Sequence, residues 1–311
     1  MARVLITGGT GLVGRALTKL FSGRGYQVII LSRQAMHSDD PQVSYATWDI
    51  SRQYIDADAI ESADYIVHLA GAGVADKRWT SARKQEIRDS RVLSSQLLEK
   101  YLLQQPHKVK KFISASATGF YGEDNGKEPF TENMQAHDDF LGNTCSQWEE
   151  SVHAIRRNTG IPTVIFRTGI VLSREGGAIR EFYKPLKLGF ATILGNGEQM
   201  VSWIHIQDLV RLYFNAIVND ALEGTFNAVA PQPVSNRELI SAMAKAAKGR
   251  SFITVHAPKF MLKLALGEMS IEVLKSCTVS SKKIQSTGFQ FSYPAIEDAM
   301  AQLFLKRGAQ D

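Results

Sequence analysis

The chain has 311 residues, of which 44% are hydrophobic and 22% charged. That composition excludes a disordered chain and suits one large α/β domain, or a core domain with a smaller lobe. The net charge is +5, with basic residues in small clusters such as Lys108, Lys110 and Lys111. Charge so scattered is a weak basis for nucleic-acid binding and fits an anionic small ligand as well. Cys145 and Cys277 are far apart and show no Cys-x-x-Cys or zinc-type spacing. The expectation is reduced thiols, no metal and a cytoplasmic protein. No apolar run reaches the roughly 18 residues of a membrane span, and residues 1–6 are too short for a secretory signal.

In chain order, residues 3–6 read as a short buried strand. Thr7-Gly8-Gly9-Thr10-Gly11-Leu12-Val13-Gly14 follows at once, and residues 15–25 have helical character. Strand, glycine turn and helix is the setting in which Gly8, Gly11 and Gly14 form a dinucleotide site. Such glycines permit a tight turn, close approach of backbone to a pyrophosphate, and close helix–strand packing. The start of the helix, at Leu12 and Val13, offers free N–H groups to that pyrophosphate.

Residues 27–31 form the second strand, which ends at Leu31-Ser32-Arg33 with no acid. An acidic residue there would bind a ribose 2′-hydroxyl, whereas Arg33, beside Ser32, suits a 2′-phosphate. The expected cofactor is therefore NADP rather than NAD, the plainer alternative being a solvated strand-end arginine. Residues 43–48 form a polar-interrupted third strand nearer an edge, with Asp49 and Ile50 placed to contact adenine. Residues 64–69 form the fourth, after which Leu69, Ala70 and Gly71 let backbone lie against a cofactor. For His68, a core or strand-end role outweighs a catalytic one.

A long helix over 80–104, a strand over 109–115, a helix over 140–158 and a strand over 163–167 complete this half. Apolar runs alternating with amphipathic ones predict βαβ units in a doubly wound parallel sheet. After about residue 170 glycine and proline become frequent, with helices at 206–217, 235–247 and 295–305. Ser235 and Glu238 are spaced as a capping box. The expected organisation is a nucleotide-binding domain over 1–170 and a smaller C-terminal α/β substrate lobe over 171–311, with later strands free to return to the sheet.

Thr7-Gly8-x-x-Gly11-x-x-Gly14, Asp49-Ile50, His68-Leu69-Ala70-Gly71 and Trp203-Ile204-His205-Ile206-x-Asp208 together resemble an extended short-chain dehydrogenase/reductase of the sugar-nucleotide epimerase type. A narrower set comprises Lys77-Arg78-Trp79-Thr80, Ser90-Arg91, Ser116-Ala117-Thr118-Gly119-x-Tyr121-Gly122, Arg167-Thr168-Gly169-x-Val171-Leu172 and Gly288-Phe289-x-Phe291-x-Tyr293-Pro294. These are similar to the atypical "epimerase family" subgroup, whose distinctive C-terminal domain corresponds to about 255–305 here. The resemblance spans nearly the whole chain. It implies a Rossmann-type fold and NAD(P) binding, and makes the two long helices candidates for a homodimer interface. It implies no settled reaction.

The general reductase mechanism uses a Tyr and, four residues later, a Lys on the helix after the fifth strand. Here Leu141 and Cys145 stand at those positions. Tyr183 and Lys187 have the spacing but follow the sixth strand. No cation neighbours Cys145 in sequence, so it reads as a buried inert thiol. What remains is Ser116 or Thr118 as an oxygen-polarising hydroxyl, and Tyr121 as an acid, without an adjacent cation and with an ordinary pKa near about 10.

Lys77, Arg78, Trp79 and Arg91 suit an anionic, sugar-like substrate, although a solvated helix start with Trp79 packed inward fits as well. Trp203 joins them as a substrate-lobe candidate, and Arg167 is expected near the cofactor or a substrate phosphate. His205 and Asp208 read as structural supports. The leading expectation is an NADP-binding oxidoreductase or epimerase-like protein acting on a phosphorylated or nucleotide-linked small molecule. The alternative is a non-catalytic NADP-binding redox sensor or scaffold.

Overall fold

The structure is a computed structural model that describes residues 1–124, 126 and 128–304. Its first half runs β1 (Arg3–Thr7), α1 (Leu12–Ser22), β2 (Gln27–Ser32), β3 (Val43–Asp49), β4 (Tyr54–Ile55), α2 (Ala57–Glu61), β5 (Tyr65–His68), α3 (Ser81–Gln104), β6 (Lys111–Ala117), α4 (Phe140–Thr159) and β7 (Thr163–Thr168). The second half runs β8 (Ile170–Leu172), α5 (Gly177–Lys187), β9 (Phe190–Leu194), β10 (Met200–Val201), β11 (Trp203–His205), α6 (Ile206–Val218), β12 (Gly224–Ala228), β13 (Val234–Ser235) and α7 (Asn236–Lys248). It ends with β14 (Ile253–Ala257), α8 (Lys259–Leu266), α9 (Ser270–Leu274), α10 (Lys282–Ser286) and α11 (Ile296–Phe304).

The main sheet has eight strands in the order β12-β7-β6-β5-β1-β2-β3-β4. All pairs are parallel except the edge pair of β3 with β4. A parallel sheet is covered on both faces, and the strand residues divide accordingly. Val4, Ile6, Val164 and Phe166 pack with Leu17 and Phe21 of α1 and Tyr213 of α6. Leu5, Phe112 and Ile165 pack on the opposite face with Leu97 and Leu98 of α3 and Trp148 and Val152 of α4. Each such fully buried large apolar side chain contributes about 1.5–3 kcal/mol.

From β1 the chain builds β2 and β3 on one flank, then crosses back to β5 on the other. Strand order reverses at that point, so the loops after β1 and β5 diverge and leave a crevice at the carboxyl ends of the strands. The strand expected at 109–115 is β6, displaced by two residues. Lys111 is only 3% exposed and sends its Nζ to the Asn219 carbonyl at 2.7 Å. The shift draws Ser116 into the sheet, opposite Arg167 in the register. β4 and α2 were not foreseen. The helix expected at 295–305 is α11, and Leu305 lies outside the described residues.

β12 comes from the later half yet forms the edge of the main sheet beside β7. Other second-half elements pack around Trp203, Ile179, Leu239, Met243 and Met300. Asp208 is wholly buried and accepts the N–H groups of Ser292 and Tyr293 at 2.8 and 2.9 Å, which fastens the C-terminal tail to α6. His205 caps α6, and Ser235 with Glu238 forms the expected capping box on α7. No described helix is long and apolar enough to cross a membrane.

Candidate cofactor-binding site

A cavity of about 1180 Å³ occupies the crevice, bounded by Gly8 and Gly11, by Ser32 and Arg33 after β2, by Ile50 after β3, and by Leu69, Ala70 and Gly71 after β5. A second, of about 230 Å³, lies on the far side of the glycine turn and is lined by Leu12, Val13, Gly14, Ser116 and Thr168. Gly8, Gly11 and Leu69 line both. The turn thus borders both cavities.

The glycines are there for steric reasons. Gly8 has φ +68°, and a Cβ on it would lie 2.8 Å from the Leu69 carbonyl oxygen. A Cβ on Gly14 would lie 2.3 Å from the Gly8 carbonyl oxygen, so α1 sits directly against the turn. α1 starts at Gly11 with no side-chain cap and no acid in its first turn. By contrast Thr80, Asp139 and Ser235 cap α3, α4 and α7. The uncapped N–H groups and the positive end of the α1 dipole therefore face the cavity, which fits a pyrophosphate.

Thr7 lies beneath this turn and fixes it. Its Oγ1 accepts the N–H groups of Leu69 and Ala70 at 3.0 and 3.1 Å and lies 2.8 Å from His68 Nδ1. With both acceptor positions used, its proton goes to Nδ1, and His68 carries its own proton on Nε2 toward Ser94 and Ser95. Full burial drives the His68 pKa down to about 3, so the ring is neutral. Asp49 closes its own turn by accepting from Ser51 and Arg52, and this turn holds Ile50 in the cavity.

Beyond the small cavity lies a buried polar network. Ser116 Oγ donates to Glu149 Oε1 at 2.6 Å. Arg167 grips the same carboxylate with Nε and Nη2 at 2.8 and 2.7 Å, and its Nη1 donates to the Tyr121 hydroxyl at 2.9 Å. Tyr121 donates to Asn227 Oδ1 at 2.6 Å. Burial opposes the Arg167 charge, but the bonds and charge of Glu149 outweigh it and raise the pKa. The Tyr121 phenol has a cation beside it after all, yet burial pushes it up to about 12, against the expectation of an ordinary value.

Several expected residues are not brought to the cavities. Tyr121 is 3% exposed and Arg167 5%, and both are committed to the network. Trp203 is fully buried in the lobe core, with Nε1 donating to the Gln232 carbonyl. Trp79 packs inward against Phe140, and Arg78 lies against Gly267. Arg91 braces the loop after β5 by donating to the Ala72 carbonyl at 3.0 Å. Thr118 opens the short turn after β6, where its carbonyl accepts from Tyr121 N and lies 3.7 Å from Cys277 Sγ.

Of the substrate candidates, Lys77 does line the large cavity, together with Arg83 and Glu86. Leu141 packs against Gly119, and Cys145 is buried, with burial and then Glu149 pushing its thiol up to about 12. Sequence reading missed Glu149 and Arg83. The Arg83–Glu86 spacing was a legible helix pair, whereas nothing local marks Glu149 as the partner of Arg167.

The model of the NAD dependent epimerase/dehydratase family matches residues 4–228, and a domain of unknown function matches residues 257–303. The chain is 36% identical over 304 residues to an epimerase family protein of Staphylococcus haemolyticus, covering 97% of this chain and 99% of that one. Among solved structures it is similar to human epimerase family protein SDR39U1 (isoform 2) with NADPH, at 29% identity and TM-score 0.85, with 97% and 98% of the two chains covered. It also shares its fold with a UDP-glucuronic acid 4-epimerase from Bacillus cereus in complex with UDP-glucuronic acid and NAD. There the identity is 19% and the TM-score 0.78, with 97% and 98% covered.

Proposed function

From the premise that this chain belongs to the NAD dependent epimerase/dehydratase family, we propose that it binds NADP in preference to NAD and acts on a phosphorylated or nucleotide-linked small molecule. The observation that carries the preference is Arg33, which lines the cavity at the end of β2 where no acid stands. An acid there would repel a 2′-phosphate, and a guanidinium fork matches its oxygens. In support, one solved relative holds NADPH. The division of labour follows the sequence reading, with cofactor on residues 1–170 and substrate against residues 171–311. When bound, the nicotinamide supplies or accepts a hydride.

The protein's part in this reading is to hold the pyrophosphate on the α1 start and to seat the nicotinamide end beside Ser116 and Thr168. Ser116 can only accept there, because its proton is committed to Glu149. That constraint, with Leu141 and Cys145 at the positions of the usual Tyr and Lys, is what favours the second reading: a non-catalytic NADP-binding sensor or scaffold.

One experiment tests the cofactor assignment and a second separates enzyme from sensor. Arg33→Ala is expected to weaken NADPH binding about tenfold or more, the worth of a charge-assisted bond, with NADH within about twofold. Equal weakening of both would defeat the 2′-phosphate assignment. Incubation of the NADPH complex with carbonyl compounds is expected to consume NADPH, and incubation of the NADP+ complex with sugar nucleotides to invert a sugar centre. Binding without turnover across that panel would favour the sensor.

A further inference from the structure

We propose that Lys77 is a second ligand of the ribose 2′-phosphate, placed across the cavity from Arg33. The proposal rests on the NADP reading above and extends it. Six charged residues line the large cavity: Arg33, Asp76, Lys77, Arg83, Glu86 and Asp89. Each of the three acids is already matched. Asp76 and Glu86 pair with Arg83 at 3.8 and 2.7 Å, and Asp89 pairs with Arg88 at 2.9 Å. Among the described residues Arg33 and Lys77 form no ion pair, and the three cations of the cavity outnumber the two acids that remain once Asp89 pairs with Arg88.

Their supports are independent. Arg33 follows β2, whereas Lys77 lies on the loop between β5 and α3. Arg83, 7% exposed on the first turn of α3, donates to the Gly73 carbonyl and so ties that loop to the helix. Its Nε has no partner, and its two Nη atoms are spent on Gly73, Asp76 and Glu86. Arg83 therefore engages both Asp76 on the loop and Glu86 on α3, and Lys77 is held in no ion pair of its own. Arg33 and Lys77 line the same cavity, where Arg83 first, and then Lys77 and Arg33, hold the Glu86 carboxyl below its usual range.

A phosphomonoester carries about two negative charges and three acceptor oxygens. A planar fork from one side and a compact ammonium from the other satisfy it without competing for the same oxygens. A 2′-hydroxyl offers neither cation a charge. Lys77 is thereby separated from Arg78 and Trp79, its neighbours in sequence, which pack elsewhere.

The test is calorimetric titration of 2′,5′-ADP and 5′-AMP into the full chain and its Lys77→Ala, Lys77→Arg and Arg33→Ala variants. Lys77→Ala is expected to weaken 2′,5′-ADP about tenfold while 5′-AMP stays within about twofold, and Lys77→Arg to retain most of the affinity. If Lys77→Ala leaves 2′,5′-ADP unchanged while Arg33→Ala weakens it, the Lys77 assignment is overturned and the NADP reading stands. Equal weakening of both ligands by Lys77→Ala also overturns it, since Lys77 then serves the adenosine or 5′-phosphate. If the unaltered chain does not distinguish the two ligands, the NADP reading itself fails.

Discussion

The Thr7 hydroxyl and the His68 imidazole meet at 2.8 Å between β1 and β5, at the point where the strand order of the sheet reverses. The same hydroxyl accepts two backbone N–H groups from the loop after β5. One side chain therefore holds together the two walls of the cofactor crevice. Thr7→Val keeps the shape and leaves the Ala70 N–H and His68 Nδ1 unsatisfied, while the Leu69 N–H keeps the backbone carbonyl of residue 7 at 3.2 Å. At about 1–3 kcal/mol for each buried orphan, reduced by relaxation, the expected loss is about 1–4 kcal/mol in urea denaturation. A change within about 0.5 kcal/mol, the range of ordinary surface substitutions, would remove Thr7 from this role.

His68 also gives the fold a pH dependence. Its folded pKa of about 3 lies below the unfolded value of about 6.5, so below the latter the unfolded chain binds a proton that the folded chain refuses. The associated stability is complete above pH 6.5 and falls as pH drops toward 3, by about 1.4 kcal/mol per unit. Nuclear magnetic resonance of the His68 ring is expected to show no titration between about pH 7 and 5. A ring midpoint near 6 would contradict the buried neutral assignment.

The pair of Glu149 and Arg167 is expected to be costly to break from one side. Arg167→Met leaves a carboxylate 4% exposed without its cation, and the loss is expected to be about 3–5 kcal/mol. The double variant with Glu149→Leu is expected to be more stable than Arg167→Met alone, read from thermal unfolding as a coupling between the two sites. Simple additivity would mean that the charges are independent.

A methyl group at Gly14 would meet the Gly8 carbonyl and the Gly9 Cα, at 2.5 Å for the latter. Gly14→Ala is expected to push α1 off the turn, at a cost of about 1–3 kcal/mol, and to lower nucleotide affinity at least about tenfold. Unchanged NADPH affinity by calorimetry would show that the turn does not carry the pyrophosphate.

Neither thiol is expected to act as a nucleophile. Burial first, then Glu149 for Cys145 and Asp124 for Cys277, pushes both to about 12. Native protein at neutral pH is expected to resist iodoacetamide, with both cysteines labelled after denaturation, as mass spectrometry would record. Rapid labelling of Cys145 in the folded state would reopen it as a reactive residue.

The strand, turn and helix from β1 to α1 were legible because glycine spacing, strand composition and helix periodicity are all local signals. The place of Arg33 at the cavity, as distinct from what it binds, was legible for the same reason: it stands at a fixed offset along the chain. The interior network was not. Tyr121 has no cation nearby in sequence, yet Arg167 reaches it from β7, 46 residues away. The residues Lys77, Arg78 and Trp79 are adjacent in sequence, but loop direction sends only the first into the cavity. Trp203 reads as an aromatic poised for a ligand, and only the packing of α7 and α11 against it shows that it is core. Long-range pairing decides these cases, and a single sequence does not encode it in any local pattern.

Competitive calorimetry of NADPH against NADH on the unaltered full chain tests the central claim most directly. Both dinucleotides are expected to bind at one site, with NADPH tighter by about tenfold or more, an advantage that shrinks as salt screens the 2′-phosphate. Equal affinity for the two, or tighter binding of NADH, would contradict the assignment of Arg33 and the end of β2 as a phosphate selector.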